Sequence, residues 1–453
     1  MNIHFISIGG TVMHNLAIAL HKKGYKISGS DEEIFEPSRS SLEAHGLLPE
    51  KDGWDPDRIH SGLDAVILGM NARKSNKELK KAQELGIKVY SFPEYLYEHS
   101  KNKKRVVIGG SHGKTTITAM VMHVMRDQDK DFDYMVSSRI QGFDTMVKLT
   151  DNAPYIILEG DEYLSSPIDR TPKFHQYNPH MTLLSGIAWD HMNVFRTFEC
   201  YKKQFRKFLR IATGGGKVFY YDGDPVLGEV VDKSHWSLLK IPYCEHPFNV
   251  EDERFVLKTK YGSVPLNLIG RHNMQNVMGA LLICRDLGIE DHQFYHAIQT
   301  FKGAERRQQL LANANSRAVY LDYAHAPSSV EATVTAFKET YRDQKLVTCL
   351  ELHTYSSLNM EYIPLYKGTL SEADQAMVYY NPSVVKHKRL PPLSPDEIKK
   401  QFGKEELVVY DDFSQLENDL KNLGENTCVL LLMTSGNFSG IDFNQLAREV
   451  VDG

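Results

Sequence analysis

Along residues 1–98 the spacing of apolar and polar positions switches repeatedly between two patterns. Residues 3–8, 27–29, 65–69 and 89–91 are short apolar runs, whereas 11–23 and 75–85 carry the spacing of amphipathic helices. Apolar runs separated by helical stretches predict parallel strands in βαβ units, hence a Rossmann-like sheet. The basic residues Lys101, Lys103, Lys104 and Arg105 come next and read as a solvated linker, with a domain boundary near residue 100. Beyond it, 106–108 and 155–158 predict buried strands, as does 181–185, and 116–126 predicts a helix. An alternating hairpin is expected around Tyr261 and Gly262, and helices over 273–287 and 291–301. The βα rhythm then restarts, with apolar runs at 318–321, 346–350, 376–380, 407–410 and 428–433. The expected fold is α/β in three domains over 1–100, 101–302 and 303–453, the first and last Rossmann-like.

Composition narrows the classes. The 453 residues carry 53 Lys+Arg against 58 Asp+Glu, a net charge of -5, with 42% hydrophobic residues. That balance is ordinary for a globular protein and gives no bulk signal for nucleic-acid binding. Five cysteines lie scattered without a CxxC pair, so neither a disulfide framework nor a zinc knuckle is indicated, and a cytoplasmic setting is expected. No apolar run is long enough to span a membrane. The first residues lack a basic n-region and read as strand, glycine turn and helix rather than a signal peptide.

Gly110-Ser111-His112-Gly113-Lys114-Thr115-Thr116 follows a predicted strand and opens a predicted helix, so the central domain is expected to be P-loop ATPase-like. Free backbone N–H groups at such a helix start attract phosphate oxygens; Lys114 would reach the terminal phosphates and Thr115 would bind Mg²⁺. The loop departs from the general P-loop at Ile108, where a glycine is usual. Near the amino terminus Gly9, Gly10 and Thr11 form a second strand-to-helix turn, with Asp31 about twenty residues on, where a ribose-binding acid belongs. Ser7 and Val12 replace two fingerprint glycines, which speaks against a standard nicotinamide site. A nucleotide diphosphate on Gly9 and Gly10 and a purely packing role for both glycines stay open.

Glu159, Asp161 and Glu162 crowd the end of the 155–158 strand, an arrangement suited to a hard cation but shared by solvated acidic loops. Asp190 and His191 follow the next strand in the same way. Three further clusters are His272, Asn273 and Asn276 at a helix start, Arg306 and Arg307 after Gly303, and Asp322-Tyr323-Ala324-His325 at a strand end. Taken singly, each reads more readily as a cap or a turn than as chemistry.

In this order the motifs resemble those of the Mur ligase family, ATP-dependent amide-forming enzymes of peptidoglycan assembly. The similarity spans nearly the whole chain: Gly110 to Thr116, Glu159, His191, Gly270 to Asn276, Arg307, and Asp322 to Pro327. It implies ATP and Mg²⁺ as cofactors and UDP-N-acetylmuramate as acid substrate. By the same resemblance Lys114, Glu159, His191 and Arg307 are catalytic, and Thr115, Glu159 and His191 bind metal. Gly110 to Thr116, His272, Asn273, Asn276, Arg307, Asp322 and Tyr323 are assigned to ATP. Gly9, Gly10, Thr11, Asp31 and Asn71 fall to the UDP-sugar in domain 1–100. His325, His353 and Tyr355, in domain 303–453, fall to the amine, and closure of that domain on ATP is expected to complete the site.

Ile34-Phe35-Glu36-Pro37-Ser38, the stretch from Gly160 to His175, Asn71-Ala72 and the tail Thr434 to Phe438 lean toward the branch that adds a murein tripeptide during recycling. Arg206 stands where several members carry a carbamylated lysine. Glu351 to Ser357 lacks the arginines of the alanine-adding branch and also differs from the recycling branch. The alternatives are L-alanine as acceptor, a nicotinamide-dependent oxidoreductase from another class, and a nonenzymatic P-loop regulator that senses ATP, which leaves Glu159, His191 and Arg307 without a role. Oligomeric state is not written in the sequence.

Overall fold

A computed structural model gives the fold and describes residues 1–234, 237–251, 253–423 and 428–452. The chain divides into two compact units. The first comprises Met1–Ile187, Phe198–Cys244 and Gly279–Phe294; the second comprises Ala188–Thr197, Glu245–Met278 and Tyr295–Gly453.

The first unit contains two sheets. One is four-stranded and wholly parallel, in the spatial order Lys26–Ser30, Asn2–Ile6, Ala65–Leu68, Val89–Ser91. The other is seven-stranded, in the order Leu239–Tyr243, Lys217–Tyr221, Met181–Leu184, Lys104–Gly109, Tyr155–Glu159, Phe132–Met135, Val147–Lys148, antiparallel only at its last pair. Val106, Val107 and Ile108 are fully buried, as parallel strands covered on both faces require. Each such side chain contributes roughly 1.5–3 kcal/mol on burial. In both sheets the first strand in sequence lies inside, and the strand order reverses beside it. Crevices outside the carboxyl ends of strands at such switch points are where open α/β sheets bind ligands. The turn at Gly9 and Gly10 and the loop 110–113 both sit there.

The second unit holds a three-stranded antiparallel meander, Phe248–Glu251, Arg254–Thr259 and Gly262–Pro265, with the tight turn at Tyr261 and Gly262 as expected. Its larger sheet has the order Gln309–Ala314, Arg317–Asp322, Cys428–Met433, Lys345–Leu352, Gln375–Tyr380, Val408–Tyr410, parallel except for the first pair. Helices Pro327–Thr340, Phe413–Lys421 and Phe443–Asp452 accompany it. The expected α/β class holds.

The basic run near residue 100 is solvated only in part: Lys101 is exposed, but Lys103 and Arg105 are not. Lys103 is buried, pairs with the buried Asp133 at 2.7 Å and donates to the carbonyls of Thr150 and Ala153. Arg105, also buried, donates to the carbonyls of Ser100, Lys101 and Tyr177. Cations tolerate such desolvation only when their donors are taken up, as here.

Candidate active site

The strand Lys104–Gly109 runs straight into the loop 110–113 and the helix Lys114–Asp127. Gly110 has φ of +122°, and a Cβ there would lie 2.3 Å from Ser185 Oγ; Gly113 at the helix start has φ of +74°. Only glycine accepts the first position without displacing its neighbour. Ser111 donates its amide to Gly186 O at 2.9 Å, and Ser185 Oγ donates to His112 O, so the loop is fixed from the adjacent strand end. Lys114 Nζ donates to Gly110 O at 2.8 Å and pairs with Glu162 at 2.9 Å. Burial pulls the Lys114 pKa down, but Glu162, Asp161 and Glu159 outweigh it and hold the ammonium above the usual lysine value.

Glu159, at the end of its strand, is 4% exposed. Its Oε1 accepts from Thr115 Oγ1 at 2.8 Å and Ser137 Oγ at 2.7 Å, and its Oε2 accepts from Ser137 N at 2.9 Å. All three donors are neutral, and Glu159 forms no ion pair among the described residues. A buried carboxylate outside any direct ion pair, touching a hydroxyl, is a hard-oxygen donor set that fits Mg²⁺ completed by phosphate oxygens. Glu162, 1% exposed, accepts from Tyr201 OH as well as Lys114, and Asp161 pairs with Lys173 at 2.5 Å.

At the amino-terminal turn, Gly9 N donates to Asp31 Oδ2 at 2.8 Å, and a Cβ on Gly9 would approach that oxygen to 2.9 Å. Asp31 therefore braces the turn, and burial raises its pKa against the two amide bonds that lower it. Gly10, Thr11 at the start of helix Thr11–Lys22, and the exposed Asn71 lie at the carboxyl end of the same sheet.

The remaining expected residues belong to the second unit. His272, Asn273 and Asn276 occupy the first turns of helix Arg271–Asp286; Asn276 donates to Asn273 at 3.0 Å, and Gln308 bonds both Asn273 and His272. Both carboxylate oxygens of Asp322 accept backbone amides, of Gln308 and Ala324, each at 2.7 Å. Its observed work is to hold the turn that carries Arg307, whose guanidinium stacks over Tyr323 at 4.6 Å. His325 Nδ1 donates to Tyr323 O, 2.8 Å away, and burial lowers its pKa while Asp190 and that bond oppose this and Arg307 and His191 add to it. Asp190, His191, Arg307 and His325 thus share one electrostatic neighbourhood. His191 itself adopts φ of +55°, with its amide on Asp190 at 2.6 Å. His353 and Tyr355 follow strand Lys345–Leu352, His353 lying 3.5 Å from the buried Glu351. Arg206, by contrast, is engaged by Glu199 and Glu229.

Sequence reasoning missed several contributors. Glu162 was visible in the acidic cluster but not its pairing with Lys114. Ser137 and Ser185 reach Glu159 and the loop 110–113 only through strand order, and nothing local marks them; in the second unit Gln308, next to Arg307, bonds Asn273 and His272. Arg306 was singled out together with Arg307, but not its bond to the carbonyl of Gly436 at 2.5 Å.

A glycine loop at one switch point, a second glycine turn at another and a buried carboxylate bonded to a threonine suit an α/β protein that handles nucleotides. Family models place it further: the Mur ligase family catalytic domain matches residues 2–104, the Mur ligase middle domain 108–284, and the Mur ligase glutamate ligase domain 306–436. The chain belongs to the Mur ligase family, ATP-dependent ligases that form C–N bonds. The UDP-N-acetylmuramate–L-alanyl-γ-D-glutamyl-meso-2,6-diaminoheptandioate ligase of Haemophilus influenzae is 28% identical over 349 residues, 75% of this chain and 76% of that protein. The UDP-N-acetylmuramate–L-alanine ligase of Carboxydothermus hydrogenoformans is also 28% identical, over 98% of this chain and 96% of that one. In three dimensions, the murein peptide ligase of Psychrobacter arcticus superposes with a TM-score of 0.70 at 20% identity, covering 100% of this chain and 99% of that one, which shows the three-domain fold.

Proposed function

We propose that the protein uses ATP and Mg²⁺ to join the D-lactyl carboxylate of UDP-N-acetylmuramate to the alanine nitrogen of L-Ala-γ-D-Glu-meso-diaminopimelate, as a murein peptide ligase does in recycling. A carboxylate is a poor acyl donor because its leaving group would be oxide. Its oxygen therefore attacks the γ-phosphorus of ATP, ADP departs, the amine nitrogen adds to the acyl phosphate, and phosphate leaves as nitrogen loses its proton.

Lys114 carries the charge for the first step: the nucleotide takes Glu162's place on its ammonium. Thr115 and Glu159, with His191, would hold Mg²⁺, whose chemistry is to neutralise charge between the two approaching anions. Arg307, His272, Asn273, Asn276, Asp322 and Tyr323 are assigned to ATP, and His325, His353 and Tyr355 to the amine. Gly9, Gly10, Thr11, Asp31 and Asn71 are assigned to the UDP-sugar. Accordingly, 1–100 serves the sugar nucleotide, 101–302 ATP, and 303–453 the amine and closure. The reaction is assigned to the cytoplasm, where both nucleotides are made; no described helix is long and apolar enough to cross a membrane.

The contact of Thr115 and Glu159 beside Lys114 carries the ATP part of this reading. The tripeptide is preferred because the stretch after strand Lys345–Leu352 has His353 and Tyr355 where the alanine-adding branch carries arginines. L-Alanine remains the second reading, since relatives of that name are equally similar. The family membership removes the nicotinamide alternative. Purified protein given UDP-N-acetylmuramate, MgATP and each amine in turn distinguishes them: a tripeptide adduct by mass is expected, and exclusive alanine addition rejects the choice.

A further inference from the structure

The segment that follows strand Phe132–Met135 touches both ligand-bearing ends of the first unit. Ser137 donates its amide and hydroxyl to Glu159. Two residues on, Arg139 Nη2 reaches Ser41 Oγ, 3.3 Å away on helix Ser38–Glu43. Ser38 at the start of that helix is 3.0 Å from His14 Nδ1, which is itself 3.0 Å from Gly10 O in the amino-terminal turn. His14 is buried, and its pKa is lowered by that burial first and by the positive charge of Arg139 as well, despite the Gly10 bond. Arg139 is therefore close enough for its charge to be felt at the turn.

Three cations of the first unit have carboxylate partners: Lys114 has Glu162, Lys173 has Asp161, and Arg39 has Asp52 at 3.1 Å. Arg139 forms no ion pair among the described residues, is exposed, and spends one donor on a neutral hydroxyl. An acid that rests its nucleotide on the glycine turn and presents its carboxylate beside Glu159 and Lys114 must cross the interval that residues 137–139 bridge. A planar guanidinium with open donors suits the anionic oxygens of such a molecule.

We infer that Arg139 is a binding residue for the acid substrate, its guanidinium taking an anionic oxygen of the sugar nucleotide, either on the diphosphate or on the lactyl carboxylate. This rests on the function proposed above and adds a residue to it. Calorimetric titration of wild type, Arg139→Gln and Arg139→Lys with UDP-N-acetylglucosamine and UDP-N-acetylmuramate tests it without ATP or amine. UDP-N-acetylglucosamine has the diphosphate and lacks the lactyl group, so the two probes separate the two oxygens. Arg139→Gln is expected to weaken binding of UDP-N-acetylmuramate roughly tenfold or more, with partial recovery in Arg139→Lys. An equal loss for both sugars assigns the diphosphate, and a loss confined to UDP-N-acetylmuramate assigns the carboxylate. In turnover the loss is expected in KM for the sugar nucleotide, with KM for ATP unchanged. Affinities within twofold of wild type for both sugars overturn the inference alone; a wild type that binds neither sugar overturns the proposed function as well. Because Arg139 is exposed, unchanged thermal unfolding is expected for both variants.

Discussion

Lys114 Nζ lies 2.9 Å from Oε2 of Glu162, so the lysine that follows the glycine loop 110–113 is held in an ion pair by a carboxylate that is 1% exposed. Tyr201 OH fixes the other oxygen of that carboxylate at 2.9 Å, and Ser111 Oγ lies 2.9 Å from the same hydroxyl. The loop, the lysine and the acidic strand end are one hydrogen-bonded body. The arrangement keeps the ammonium aimed at the loop.

Lys114→Ala then has two separable effects. Losing the cation at the phosphate is expected to lower turnover by at least ~10²–10³-fold. Leaving Glu162 buried without its partner is expected to cost about 3–5 kcal/mol of stability. Adding Glu162→Gln to Lys114→Ala should restore most of the urea midpoint and none of the turnover. A double variant as unstable as the single one would show that the pair is not what positions the loop.

Glu159 forms no ion pair among the described residues, and its hydrogen-bond donors are a threonine and a serine. Glu159→Ala is expected to raise the Mg²⁺ concentration needed for half-maximal phosphate release, with maximal rate partly recovered at high metal. A metal titration matching wild type would remove Glu159 from the ion's coordination.

Much of this was legible beforehand, and the reasons differ by element. Parallel strands such as 106–108 and 428–433 announce themselves because burial on both faces leaves no polar position. The loop 110–116 is local in sequence, so its chemistry is written in one stretch. The antiparallel edge strand Gln309–Ala314 was missed because its half-exposed pattern mixes polar and apolar residues without a clean period. Ser137 was missed for another reason: it is 22 residues from Glu159, and only the strand order Tyr155–Glu159 beside Phe132–Met135 brings them together. Lys103 and Arg105 misled because a charge run normally means solvent, and Asp133, Thr150, Ala153 and Tyr177, which receive them, lie far along the chain.

Gly110→Ala tests the close approach of loop and strand. The new methyl would have to displace Ser185, whose amide would lie 2.8 Å away and whose hydroxyl braces His112. At φ of +122° the substitution is also strained in its own backbone. The expected outcome is loss of ATP binding with UDP-sugar binding kept, read by titrating each nucleotide separately. Unimpaired ATP affinity would show that the loop can relax around the methyl.

The last prediction concerns acid. His175, in the short helix Lys173–Gln176, is pushed down to about 4, chiefly by burial, with Lys207 adding to this and its bond to Gln204 O opposing it. An unfolded histidine takes up a proton near pH 6.5, so between about pH 6.5 and 4 the unfolded chain binds a proton that the native state refuses. The sign follows: stability from this group is complete above about pH 6.5 and declines as pH falls toward 4, by about 3 kcal/mol at the limit. Burial likewise lowers His14, His99, His180, His272 and His325, so their contributions add in the same direction. Urea midpoints measured at pH 7.5 and 5 should therefore fall steeply in wild type. The fall should be smaller in His175→Gln, whose amide can still donate to the Gln204 carbonyl but does not titrate. Equal slopes for the two proteins would mean that His175 is solvated and protonates freely in the native state.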